Sequence, residues 1–237
     1  MLKHRIIPVL LTDGKGQCVK PVVFERPYRK LGTMEQYINV IETRNVDELI
    51  IIDIEATAQK RKPDYAKLRN WCSNLFCPVT YGGGISTLDD IRLALENGAD
   101  KVAIKSNYSI MKEGAYKFGS QAIVGVIDSY DSYDSYDNYY YAWSQARLFT
   151  EHGAGELIVT DENKDGVMEG YNTDLIRHIV SKMPVVALGG CGEPEHMAQA
   201  LDAGASAVAA GSMFLYLDIT PKDCARYLNE KGYKVRL

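Results

Sequence analysis

The stretch ALGGCGEPEHMAQALDAGASAVAAGS, Ala187 to Ser212, decides how the chain is read. A short apolar strand, Pro184 to Leu188, runs into Gly189 and Gly190. A helical pattern follows, and then a second strand, Ala205 to Ala210, which runs into Gly211 and Ser212. Two strands therefore end in small residues. Glycine, lacking a Cβ, lets backbone N–H groups come close to a ligand, and a helix that starts at such a point turns its positive end toward it. A phosphate can be held this way without much side-chain charge.

The stretch has an earlier copy. Gly84 recurs as Gly190, Gly98 as Gly204 and Ser106 as Ser212, each 106 residues further on, and Ala94, Leu95, Ala99, Val102 and Ala103 meet identical residues at the same offset. A second echo pairs DELIIID, Asp47 to Asp53, with GELIVTD, Gly155 to Asp161, at an offset of 108. A period close to half of a 237-residue chain marks a duplicated half rather than a solenoid. One Gly-Gly pair is an ordinary turn; two copies at matched strand ends point to two matched sites.

The bulk properties set limits. A chain of this length, 46% hydrophobic and 24% charged, suits one large domain or two small ones, and an α/β barrel fits it as a single domain over residues 1–237. The net charge of −4 argues against nucleic-acid binding through bulk charge. No apolar run is long enough to span a membrane, and MLKHRIIPVLL at the start reads as a first strand rather than a signal segment. The five cysteines, Cys18, Cys72, Cys77, Cys191 and Cys224, are odd in number and include no CxxC, as expected of reduced thiols in a cytoplasmic protein without a metal site.

Eight short apolar strands alternate with helical patterns. The strands are expected at Arg5–Leu11, Glu48–Ile54, Pro78–Tyr81, Lys101–Ile104, Ala122–Ile127, Glu156–Thr160, Pro184–Leu188 and Ala205–Ala210. A polar loop with Asp13, Gly14 and Gly16 follows the first. Helices are expected near Met34–Arg44, at Pro63–Leu75 with Pro63 in the first turn, after the caps Ser86 and Thr87, near Ile110–Lys117, from Tyr140 to before Gly153, at Thr173–Ser181 and at Pro221–Lys231. The Ser-Tyr-Asp run over 129–137 reads as an exposed loop. Continuous apolar strands alternating with helices predict a parallel sheet covered on both faces. A doubly wound open sheet is the alternative, but eight units in 237 residues, with the halves repeating in the same order, favour a closed (β/α)₈ barrel made of two similar halves. Its site would lie at the C-terminal strand ends, with the two glycine-serine sites on opposite sides of one mouth, suited to a ligand with two phosphates.

At this point RIIPVLL, DGKGQCVK, VDELIIIDI, YGGGI, GADKV, FGSQA, GAGEL, KDG, GYNTDLI, ALGGCG and KGYKVRL, in that order, resemble the cyclase subunit family of imidazole glycerol phosphate synthase over essentially the whole chain. The resemblance implies a lyase or amidotransferase-type synthase subunit that takes ammonia from a separate glutaminase, uses it on a bis-phosphorylated ribonucleotide and needs no cofactor. It also implies site roles. Asp128 at the end of the fifth strand and the loop lysine Lys20 would be catalytic. Asp53 and Asp165 would contact substrate, and Gly84, Lys105, Ser106, Gly166, Gly190, Gly211 and Ser212 would hold phosphates. Arg5, Glu48, Lys101 and Glu156 would gate ammonia at the opposite end, where Asp100 would meet the glutaminase.

There are departures, and they cluster at the catalytic face. The family's first-strand aspartate is Leu11, which cannot exchange a proton. Its asparagine before Ser106 is Lys105, its threonine after Gly166 is Val167, and the loop after the fifth strand is shorter and carries the Ser-Tyr-Asp run. With VVFERPYRKLG, residues 22–32, the pattern looks more like a paralogous group associated with amidation of surface sugars to acetamidino groups, where a further amidotransferase takes part. Three readings stand: an ammonia-handling barrel of that kind, a histidine-pathway cyclase with a displaced acid, and a non-catalytic phosphate-binding scaffold that switches on a glutaminase.

Overall fold

The computed structural model describes residues 3–21, 27–44, 46–129, 135–180 and 183–237, and only the backbone of 135–137. The chain opens with strand β1 (Arg5–Thr12), a hairpin of β2 (Gln17–Lys20) and β3 (Arg29–Thr33), and helix α1 (Met34–Thr43). The first half continues with β4 (Leu49–Asp53), α2 (Tyr65–Cys72), β5 (Val79–Gly82), α3 (Leu88–Glu96), β6 (Lys101–Ile104) and α4 (Tyr108–Phe118). The second half holds β7 (Ile123–Ser129), α5 (Ser135–Glu151), β8 (Glu156–Asp161), α6 (Thr173–Ile179), β9 (Val185–Leu188), α7 (Pro194–Asp202), β10 (Ala207–Ala210), α8 (Ser212–Tyr216) and α9 (Pro221–Glu230).

Strands β1, β4, β5, β6, β7, β8, β9 and β10 pair in that order, all parallel, and β10 returns to β1 with Arg5 beside Ala207 and Pro8 beside Ala210. This is a closed eight-stranded (β/α)₈ barrel. Side-chain alternation sorts each strand into two sets. Ile7, Val9 and Leu11 of β1 pack with Ile50, Ala103, Val124, Ile158, Val186, Ala207 and Ala209 in the barrel lumen. Leu10, Leu49, Ile51, Val102, Leu157 and Val185 face outward onto the helices.

Helix starts follow local chemistry. Thr33, Thr87 and Thr220 each close a capping box with the residue three further on, and Asp64 and Asn107 cap α2 and α4. Pro63 was expected in the first turn of α2, but it precedes the cap, because the Asp64 carboxylate accepts from the Lys67 N–H and fixes the start at Tyr65.

Three further expectations are corrected. The polar loop after the first strand is a hairpin: β2 pairs antiparallel with β1 at Leu11–Val19 and Thr12–Cys18, taking over the edge that β10 occupies at residues 5–8. This places Lys20 over the mouth. Helix α5 starts at Ser135 rather than near Tyr140, so the end of the Ser-Tyr-Asp run is helical, while 130–134 lie outside the described residues. A one-turn helix, α8, follows the eighth barrel strand where none was expected.

Glycine is required where loops press on strand ends. Gly190 has φ +97°, and a Cβ there would meet the Gly170 carbonyl oxygen at 2.2 Å. Gly232 has a similar φ of +92° but nothing within 4 Å of that position. Gly232→Ala should therefore cost only the left-handed backbone penalty, about 1–2 kcal/mol. Gly190→Ala should lose about 2–4 kcal/mol, because overpacking adds to the same penalty. Urea unfolding of the two variants separates the terms; equal losses would show that the contact with Gly170 is not tight.

Candidate functional site

The C-terminal ends of the strands enclose a cavity of about 840 Å³. Its lining is partly apolar, with Val9 and Leu11 of β1, Ile52 of β4 and Leu188 of β9, and partly charged, with Lys20, Asp53, Arg61, Lys105, Asp128, Glu162 and Asp165. Leu11 is 7% exposed and sits where the expected first carboxylate would have been. Across the mouth, the Asp128 carboxylate at the end of β7 is 2.7 Å from the Lys105 ammonium, which also lies 3.7 Å from Glu162. Beside them Lys20 donates to both oxygens of Asp165, at 3.0 and 2.8 Å, and both residues are buried.

The two halves build their loops alike. Asp53 ends β4 and accepts from the N–H groups of Glu55 and Ala56, while Arg61 binds both of its oxygens at 2.7 and 2.8 Å. Asp161 ends β8, accepts from the Asn163 N–H and is bound by the Asn172 amide at 2.8 Å. Each aspartate thus starts its loop as an Asx turn and clasps the far end. The clasped loop then rests on the next strand's glycines: Arg61 O lies 2.8 Å from where a Gly84 Cβ would be, and Gly170 O lies 2.2 Å from the same point on Gly190. Asp53, expected to contact substrate, has its oxygens engaged by Arg61 and the backbone. The hydrogen bond to Asp53 holds the Arg61 guanidinium above its ordinary value.

Of the residues expected to hold phosphate, Gly84, Lys105, Ser106 and Gly211 line the cavity, and Gly166, Gly190 and Ser212 do not. The amide groups at the start of α3 are already used: Ser86 and Thr87 donate to the Asp90 carboxylate, which also takes Lys62 and Tyr65. Burial raises the Asp90 pKa, but these donors outweigh it and hold the group well below the ordinary carboxylate range. At the other side, Ser212 Oγ is, among the described residues, the buried side-chain polar atom without a hydrogen-bond partner. Such an atom is costly unless something binds it.

The N-terminal end of the lumen is closed by charge. Arg5 Nη1 is 2.7 Å from Glu48, and its other nitrogen is bonded to Glu156. Lys101 Nζ is 2.9 Å from each of Glu48 and Glu156, and Thr80 donates to Glu48 at 2.8 Å. Each cation touches both anions, so the four residues form one ring of alternating sign. Burial opposes the ionised Glu156, yet Arg5 and Lys101 outweigh it and lower its pKa. Asp100 lies at the same end, exposed, with its carboxylate accepting from the Val79 N–H at 2.8 Å.

Glu162 was missed in the sequence. The signal was there: Glu156, Ile158, Thr160 and Glu162 alternate along β8 and just past it, so the residue six beyond the ring faces the mouth, roughly 20 Å further along.

Comparison with known proteins places the chain in a family. Residues 5–220 match the family model described as histidine biosynthesis protein, and the chain belongs to that family. It is 36% identical, over all of its length and 96% of the other chain, to the imidazole glycerol phosphate synthase subunit HisF of Endomicrobium trichonymphae. It is 35% identical, over the whole of both chains, to a Campylobacter jejuni protein named provisionally as imidazole glycerol phosphate synthase subunit hisF2.

The ring carries a pH signature. A carboxylate whose folded pKa is depressed stabilises the fold above its unfolded pKa, and that contribution is lost as pH falls through the folded value. Lys101→Met leaves two buried carboxylates with one cation, and should cost about 1–3 kcal/mol at pH 7, below the value for a wholly buried pair because Lys101 and Arg5 are partly exposed. The difference from wild type should shrink as pH drops below the ordinary carboxylate range. A difference in urea midpoint that persists unchanged in acid would show that ring charge is not the cause.

Proposed function

We propose that this chain is the barrel subunit of a glutamine-dependent complex: a glutaminase docks on the N-terminal face, and its ammonia passes the charged ring and the lumen to a phosphorylated ligand at the mouth. The observation that carries this reading is the contrast between the ends. Four alternating charges stand complete at one end, while Leu11 removes a proton-exchanging group from the other. The lumen between them is lined by aliphatic side chains, which suit neutral ammonia and reject ammonium. The face around the ring supports docking, with Asp100 exposed and Phe76, just before β5, 95% exposed; an isolated aromatic of that kind is a common interface anchor.

At the mouth, Lys20 and Asp128 are the groups for proton exchange. Asp165 orients Lys20, and Gly84, Lys105, Ser106, Gly211 and the buried Ser212 hydroxyl serve phosphate binding, with Gly166 and Gly190 shaping the loops behind. Asp53 acts on substrate through Arg61. The acceptor we favour is a sugar to be amidated by a further amidotransferase, since an apolar position 11 accompanies that chemistry in the resemblance. A histidine-pathway cyclase is the second reading, favoured by the likeness to the HisF subunit of Endomicrobium trichonymphae.

Two experiments test this. With Leu11 in place, cyclisation of a bis-phosphorylated ribonucleotide with ammonium salts should run about 10²- to 10⁴-fold below an enzyme with both acid–base groups. A rate typical of enzymes would favour the second reading. For the channel, the glutaminase captured with this chain should be reconstituted and product formation driven by glutamine or by ammonium. Lys101→Ala should reduce the glutamine-driven rate while sparing the ammonium-driven one, with glutamine still hydrolysed. Equal losses from both nitrogen sources would show that the ring only supports the fold.

A further inference from the structure

Lys105 stands four residues beyond the ring's Lys101 in the same inward-facing series, so this strand offers a cation at each end of the lumen. Its ammonium is 2.7 Å from Asp128 and 3.7 Å from Glu162, while the side chain is 60% exposed to the open mouth. The two carboxylates are set deeper, with side chains 19% and 7% exposed. Gly84 and Ser106 line the same cavity, and Ser106 is the next residue along the chain. An ion pair with one exposed, flexible member is weak, whereas a phosphate brings close to two charges and several acceptor oxygens.

Resting on the reading that the mouth takes a phosphorylated ligand, we propose that Lys105 is a cation for which that ligand competes with Asp128 and Glu162. Before binding, the two carboxylates hold the ammonium. A phosphate seated against Gly84 and Ser106 draws it over, and the Asp128 carboxylate is released to exchange a proton with the ligand. Glu162 acts through Lys105 as a positioning residue that sets how strong an anion must be to make the change.

The full chain should be titrated with inorganic phosphate by calorimetry at low ionic strength, as wild type, Glu162→Gln, Lys105→Met and the double variant. Glu162→Gln should bind phosphate about two- to fivefold more tightly, because a weak competing pair is gone. Lys105→Met should bind about tenfold more weakly, having lost a charge-assisted contact. In the Lys105→Met background, Glu162→Gln should change nothing, which is the coupling a double-mutant cycle reads. The same gain in both backgrounds would mean only the general field of one less negative charge, and would overturn the proposal, as would no gain in the single variant. If wild type binds no phosphate at all, the reading of the mouth as a phosphate site falls, and this inference with it. Thermal melting checks that each variant folds, with Lys105→Gln as the replacement where Lys105→Met does not.

Discussion

A charge placed at the first inward position of a barrel strand has little access to water and must find its opposite. Arg5, Glu48, Lys101 and Glu156 meet this constraint together, since each cation reaches both anions and no member is paired only once. The ring forms only if four strands keep their register around the closed sheet, and a slip of one residue would turn each charge outward onto a helix. The same alternation that puts the charges at one end puts Leu11, Lys105, Asp128 and Glu162 at the other. The ring and the mouth are thus two consequences of one register, joined by the aliphatic lumen.

Duplication explains the rest of the mouth. In each half an aspartate at the end of the second strand starts a loop, clasps its far end and lays it on the glycines of the third. The glycines that suggested phosphate sites are therefore needed first by backbone packing. The halves diverge in what clasps the aspartate: Arg61 in one, Asn172 in the other. They diverge also at the strand ends, where one half ends β7 with Asp128 beside Lys105 and the other ends β1 with the apolar Leu11. A symmetric frame carries an asymmetric cavity.

Much of this was legible in the sequence, for physical reasons. Eight buried parallel strands read as apolar runs, and the barrel followed from their number and from the repeat. The hairpin β2–β3 was hidden because its two short strands carry charged and small residues, QCVK and RKLGT, rather than an apolar run. The start of α5 was hidden because Ser, Tyr and Asp in rotation have no helical period. Capping chemistry moved Pro63 out of α2. At the mouth, Lys20, Asp128 and Asp165 could be named from the sequence as candidates and do line the cavity, but the pairing of Lys20 with Asp165 and of Lys105 with Asp128 depends on side chains from distant strands converging over one opening. Glu162 shows the same limit: its position was given by alternation, its meaning only by the lysine beside it.

The central claim is that ammonia travels inside this barrel from a partner's glutaminase site to the mouth. Its most direct test is isotopic. The reconstituted complex is given glutamine labelled with ¹⁵N in the side-chain amide, together with an excess of unlabelled ammonium, and the nitrogen in the aminated product is read by mass spectrometry. An enclosed path predicts product that carries the glutamine label out of proportion to its share of the free ammonia. Product labelled only at the bulk ratio would contradict it.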